Sequence, residues 1–206
     1  NNIGVKGVRA IAKMLEISRT LNTLDLSNNN IGGMSGDVKK DALQGTSFKE
    51  GDTVQYNGQQ CTVFMEEDRD GDLKVQDISG VVAIAEALKF NRALTSVNLL
   101  KNDLGDGAAA VVAAAKQNGN IKTLCGIDQG KTGVSYVNGG LVAADAVLLS
   151  FDIALNRALT SVNVLKTVHG DCAAADVAGL PLRILDCARL YRFRIYFSIN
   201  GVFVLI

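Results

Sequence analysis

The chain has no tryptophan, one histidine (His169), one proline (Pro181) and only 5% aromatic residues. Without tryptophan it lacks a side chain that commonly anchors protein interfaces. With a single histidine, imidazole acid–base chemistry would rest on one position. His169 has Cys172 as a sequence neighbour, but both fall in a degenerate stretch, and their proximity reads as chance. A charge excess of either sign is missing too. Lys plus Arg and Asp plus Glu number 21 each, so no overall field draws the chain to nucleic acid or to an anionic membrane. The four cysteines, Cys61, Cys125, Cys172 and Cys187, are scattered without a Cys-x-x-Cys pair, which speaks against a disulfide framework or a structural zinc site. A reducing cytoplasm is the natural compartment for such thiols. Gly130–Lys131–Thr132 has the end of a phosphate loop, but Cys125 stands where that motif needs another glycine, so no cofactor is expected. The polar start lacks a secretory pattern and opens part-way through a repeated motif, as a fragment would.

What the chain has is repetition. NRALTSVN at Asn91–Asn98 returns letter for letter at Asn156–Asn163, and NNIG at Asn1–Gly4 returns at Asn29–Gly32, 28 residues later. A pattern L-x-x-L-x-L-x-x-N-x-I-G holds Leu21, Leu24, Leu26, Asn29, Ile31 and Gly32. It recurs at Leu94, Val97, Leu99, Asn102, Leu104 and Gly105. Degenerate copies contain Ile121, Leu124 and Gly126, and then Leu159, Val162 and Val164. The two-residue alternation around each central leucine or valine predicts a short strand. Between strands the period changes to that of a helix. Val8, Ile11, Ala12 and Leu15 share one face, as do Val81, Ile84, Ala85 and Leu88, then Ala108, Val111, Val112 and Ala115, then Ala146, Leu149, Ser150 and Ile153.

On these residues the chain resembles the ribonuclease-inhibitor-like class of leucine-rich repeat proteins, over residues 1–34 and 80–166. The resemblance implies an α/β solenoid, a horseshoe with parallel strands inside and helices outside. It also implies a role in binding, with small-GTPase activation among the activities known in similar proteins. It supplies no catalytic residues, and no enzyme activity is expected.

Strand spacing locates two interruptions. Leu24 and Val97 lie 73 residues apart, one repeat with 45 residues inserted, and Leu124 and Val162 lie 38 apart, one repeat with ten inserted. Both insertions are expected between a strand's exit and the next helix. The first, residues 35–79, reads as a β-meander or small SH3-like module, with Val54–Tyr56, Cys61–Met65 and Leu73–Val75 as strands and Asn57–Gly58 and Asp70–Gly71 between them. Its acidic run from Glu66 through Asp68, Asp70, Gly71 and Leu73 to Asp77 has the spacing of a calcium loop. Glu at the first position, Asp at the last and a preceding strand favour a solvated acidic turn, with calcium binding as the alternative. Residues 167–206 hold a degenerate repeat, broken by Pro181, and an atypical apolar tail. In that tail Tyr191 to Ile199 alternates before Asn200–Gly201, a hairpin signal. A truncated or misread end is the leading explanation of the tail.

The functional expectation is a non-catalytic scaffold that binds a protein partner, with neither nucleic acid nor membrane as its target. Its concave face would comprise the outward strand positions Thr23, Asp25, Ser27, Ser96, Asn98, Leu100, Thr123, Cys125, Ser161, Asn163 and Leu165. These are mostly small and polar and include no aromatic anchor.

Overall fold

The computed structural model describes residues 3–33, 37–45, 47–65, 70–136, 140–164, 196–199 and 202–205. Helix α1 (Gly4–Ile17) buries Val8, Ala12 and Leu15, and α2 (Ser79–Phe90) buries Val81, Ile84, Ala85 and Leu88. Helix α3 (Gly107–Asn118) buries Ala108, Val111, Val112 and Ala115. These positions recur at helical spacing, so each helix turns one apolar stripe inward. The helices pack in chain order, with α4 (Ala143–Leu155) last, against α3. Helix α4 departs from the expected face. Leu149 is buried, but Ala146, Ser150 and Ile153 are only half-buried, because the helix is rotated to carry Asp145, Leu148 and Asp152 inward.

Asparagine side chains join the helix ends. Asn91, just after α2, donates its amide to the carbonyls of Leu15 (2.7 Å) and Ser18 (3.2 Å) at the end of α1. Asn118, the last residue of α3, donates to Leu88 and Asn91 (2.6 Å each) at the end of α2. The last carbonyls of a helix have no intrahelical donor, and these amides supply one.

The strands are β1 (Thr23–Asp25), β2 (Val38–Lys39), β3 (Thr53–Tyr56), β4 (Gln59–Met65), β5 (Asp72–Gln76), β6 (Ser96–Asn98), β7 (Gly133–Ser135), β8 (Ser161–Asn163), β9 (Tyr196–Ile199) and β10 (Val202–Leu205). They form three sheets. β1 and β6 pair in parallel, Leu24 opposite Val97. β2, β5, β4 and β3, in that order, make a curled antiparallel half-barrel. β7, β8, β10 and β9 make the third, with β7, β8 and β10 parallel and β9 antiparallel to β10.

The expected horseshoe is therefore corrected. The fold is mixed α/β, with four α-helices among the described residues, a curled antiparallel half-barrel and short parallel sheets, and the repeated motifs do not extend into one solenoid. The break lies on the far side of Leu124. Toward β6 its segment is joined by backbone bonds, with the Val97 N–H on the Thr123 carbonyl and the Leu99 N–H on the Leu124 carbonyl (3.0 Å each). The N–H groups of Leu124 and Cys125 go to the Asp152 carboxylate at 2.7 and 3.2 Å, and so are not offered to a further strand. Val162 then pairs with Val134 rather than with Leu124.

The half-barrel has its own core of Val38, Leu43, Val54, Cys61, Val63, Leu73 and Val75, with Phe48 and Tyr56 packed on it. The β3–β4 hairpin turns at Asn57 (φ 51°) and Gly58 (φ 74°), the left-handed pair that matches the twist of antiparallel strands. The half-barrel is held to the helical part where the Asp77 N–H meets the Gly33 carbonyl (3.2 Å) and the Gln76 side chain donates to the Asp103 carbonyl. In the third sheet, β9 pairs with β10, and β10 finds a further partner in β8. The degenerate stretch 167–190, with His169, Cys172, Pro181 and Cys187, lies outside the described residues, as do Glu66 and Asp68.

Candidate functional site

The expected binding face divides in two. On the β1–β6 sheet, Thr23 lies opposite Ser96 and Asp25 opposite Asn98, with Ser27 just beyond. Thr23 and Asp25 are exposed, while Ser27, Ser96 and Asn98 are half-buried. Ser161 (exposed) and Asn163 (half-buried) stand on β8 in a different sheet, opposite Gly133 and Ser135. Leu100, Thr123 and Cys125 are buried and cannot meet a partner. Leu165 lies outside the described residues.

Asp25 is the charged group of this surface. Partial burial pushes its carboxyl up, but the Ser27 N–H (2.9 Å), the Ser27 hydroxyl (2.7 Å) and the Asn98 side chain outweigh that and hold it below the usual carboxylate range. The carboxylate is thus a fixed negative charge with a fixed orientation between two strands.

Thr123 and Cys125 are buried because α4 reaches them. One Asp152 oxygen accepts the Leu124 N–H, and the other accepts the Thr123 hydroxyl and the Cys125 N–H. The Thr123 oxygen accepts from Ile127 N–H (2.8 Å) and Cys125 N–H (3.2 Å) in turn. Two helical turns earlier, Asp145 accepts the Lys101 N–H (2.8 Å) and the Val142 N–H (3.0 Å). The two carboxylates thereby fasten α4 to the loop after β6 and to the segment after α3.

Burial sets the electrostatics of this cluster. It pushes Asp152 up to about 6, against the pull of hydrogen bonds from Thr123, Leu124 and Cys125. It raises Asp145 despite the N–H groups of Val142 and Lys101. The Cys125 thiol is raised well above its ordinary value by burial and then by the charges of Asp152 and Asp145, and the Tyr136 hydroxyl is raised for the same kinds of reason. A thiol kept protonated is a poor nucleophile, so the cluster's chemistry is that of a structural clasp. Reading the sequence missed Asp145, Asp152 and Tyr136. The available signal was two aspartates seven residues apart in an otherwise apolar helix.

The acidic turn in the half-barrel is flanked by strands β4 and β5 rather than by helices, and Leu73 is buried in the strand core. Asp72 pairs with Lys39 (2.8 Å), and one Asp77 oxygen takes the N–H (2.9 Å) and hydroxyl of Ser79. Among the described residues no group of three or more His, Cys, Asp and Glu is arranged to hold a metal ion. Elsewhere on this module the Lys40 ammonium sits 5.4 Å from the Phe48 ring centre, and Phe64 is exposed.

Compared with protein-family models, curated proteins and solved structures, the chain matches none. Among the described residues, no helix is long and apolar enough to cross a membrane.

Proposed function

We propose that the chain is a non-catalytic protein-interaction scaffold that binds through the exposed strand positions of its β1–β6 sheet. The observation carrying this reading is the small polar surface of Thr23, Asp25, Ser96 and Asn98, set on the buried side chains of Val97, Leu26 and Leu99, with the Asp25 carboxylate fixed by Ser27 and Asn98. A rigid base under a preoriented charge lets a partner bind without ordering the surface first. The balanced charge of the chain favours a protein over nucleic acid or an anionic membrane as that partner. Two buried free thiols, Cys61 and Cys125, suit a reducing cytoplasm.

A photo-crosslinking residue placed at Thr23 or at Ser96 tests the reading, with Lys116 on the exposed side of α3 as control. The expected result is one protein captured from both strand positions and not from Lys116. Its affinity, measured with purified components, should fall at least about tenfold on Asp25→Lys. Equal capture from Lys116, or an affinity indifferent to Asp25→Lys, would overturn it. The resemblance also implied activation of a small GTPase. GTP hydrolysis by a panel of purified small GTPases, with and without the chain, decides that alternative, and acceleration would displace the scaffold reading.

A further inference from the structure

Helices α1, α2 and α3 end on one rim, and their last residues stand in register. The amide of Asn91 on the Ser18 carbonyl and that of Asn118 on the Asn91 carbonyl carry this rim from one helix to the next. Arg92 Nη1 donates to the Asn118 carbonyl across it (3.2 Å). The residue before Ser18 is Ile17, the residue before Asn91 is Phe90, and the residue before Asn118 is Gln117. Phe90 is 69% exposed and Ile17 is 77% exposed. α2 has α1 packed on one side and α3 on the other, so the exposure of Phe90 belongs to its place in the unit and not to an empty flank. A lone exposed apolar residue is ordinary. Here two stand on neighbouring helix ends, about 8–10 Å apart by the usual spacing of packed helices.

The charge around them is one-sided. Arg19 follows Ile17 by two residues and Arg92 follows Phe90 by two, and both are exposed. Lys13 is exposed one helical turn before Ile17. Lys89 is paired with Glu86, which leaves Glu16 as the one carboxylate of residues 13–22 and 86–95 without a cation. No carboxylate among the described residues pairs with Lys13, Arg19 or Arg92. The dipole of a helix favours cations at its C-terminal end, which accounts for the arginines but not for a bare phenyl ring between them.

We propose that this rim is a second docking surface, and that its occupant is an acidic segment of a partner protein whose apolar side chains meet Ile17 and Phe90 while its carboxylates pair with Arg19 and Arg92. Charge complementarity selects an acidic occupant, since each guanidinium can take a carboxylate through two parallel bonds. The local excess acts over about 8–10 Å, a range in which the balance of the whole chain is screened. Fixed spacing selects a protein segment over an anionic lipid surface. Gln117 closes the apolar row on the α3 side, and the two points that remain have a set separation, which a fluid surface does not read. The rim lies apart from the outward side chains of the β1–β6 sheet, and the proposal does not rest on the reading of that face.

Short peptides selected from a displayed random library on the immobilised full chain are the probe. Those that bind should be rich in Asp and Glu and carry apolar residues, and their affinity should fall at least about tenfold on Phe90→Ser and on Arg19→Glu. Both side chains are exposed, so both variants should unfold in urea at the parent's midpoint. A selected peptide with its Asp and Glu changed to Lys should prefer the Arg19→Glu, Arg92→Glu double variant over the parent, a reversal that a role in folding alone does not produce. Asp25→Lys should leave these affinities unchanged, so the rim and the β1–β6 face fail separately. An empty selection, neutral or basic binders, affinity indifferent to Phe90→Ser and Arg19→Glu, or affinity lost on Asp25→Lys overturns the proposal. Sedimentation with phosphatidylserine vesicles that Phe90→Ser abolishes, in the absence of acidic binders, overturns it by giving the rim to a membrane. Self-association that grows with concentration and is lost on Phe90→Ser overturns it by giving the rim to a second copy of the chain.

Discussion

Replacing Asp152 by asparagine tests whether the clasp on the Leu124 segment carries the cost of a buried charge. Asp152 is 1% exposed, and burial lifts its carboxyl from 3.8 to about 6 against the pull of its hydrogen bonds. The folded value stands above the unfolded one. The group's stabilising contribution is therefore whole below the unfolded value and is lost as pH rises through the folded value. A shift of that size corresponds to about 3 kcal/mol between the two ends of the window. Asparagine keeps the shape and an oxygen for the Leu124 N–H but cannot ionise. Its own packing and hydrogen-bond cost is the same at every pH. Urea denaturation of both proteins, stepped from about pH 4 to about pH 7.5, then reads the difference between them as a function of pH. Asp152→Asn should gain on the parent by about 2.4 kcal/mol as pH rises across this range, most of it before neutrality. The raised Asp145 is present in both proteins and largely cancels from the difference. A flat difference would refute the reasoning, since it would mean that Asp152 titrates alike in the folded and unfolded chains.

Two smaller predictions follow from backbone shape and burial. Gly58→Ala places a Cβ in open space but at φ 74°, so it should cost about 1 kcal/mol in urea denaturation through backbone strain alone, and an unchanged midpoint would deny that the turn needs the left-handed conformation. Cys125, 5% exposed with its thiol raised, should react with a disulfide reagent at least about a hundredfold more slowly in the folded chain than in urea, read by mass mapping of that cysteine; equal rates would show the segment open.

Local order was legible where the chain's own neighbours decide it. The apolar positions of α1, α2 and α3 repeat at helical spacing, and the Asn57–Gly58 pair marks its hairpin because few other residues accept that backbone shape. The joining of units was legible only in part: Leu24 lies opposite Val97 in a parallel pair as its motif implies, but Val162 pairs with Val134 and not with Leu124. Leu124 sits in the same motif as Leu24 and Val97, yet its N–H is taken by a carboxylate 28 residues further on, so a contact between elements overrode a pattern within one. The same carboxylate buried Thr123 and Cys125, which alternation alone had put on the surface. On β1 and β6 no such side chain intervenes. Thr23 and Asp25 remain exposed there, and Ser96 and Asn98 half-buried.

The amides that join the helix ends also bear on how the molecule ages. Asparagine followed by glycine is prone to deamidate, because the glycine N–H can attack the side-chain carbonyl and close a ring. The chain carries that dipeptide in two contrasting settings among the described residues. At Asn118–Gly119 the side-chain amide is held by two carbonyls, its oxygen accepts the Asn120 N–H (2.9 Å), and the Gly119 N–H is committed to Ala115 (3.1 Å), so the attacking and attacked groups are both engaged. Asn57–Gly58 lies exposed at the tip of a hairpin. Of these two sites, wear therefore begins at the rim of the half-barrel, and the joint between α2 and α3 keeps its asparagine for as long as the helices stay packed.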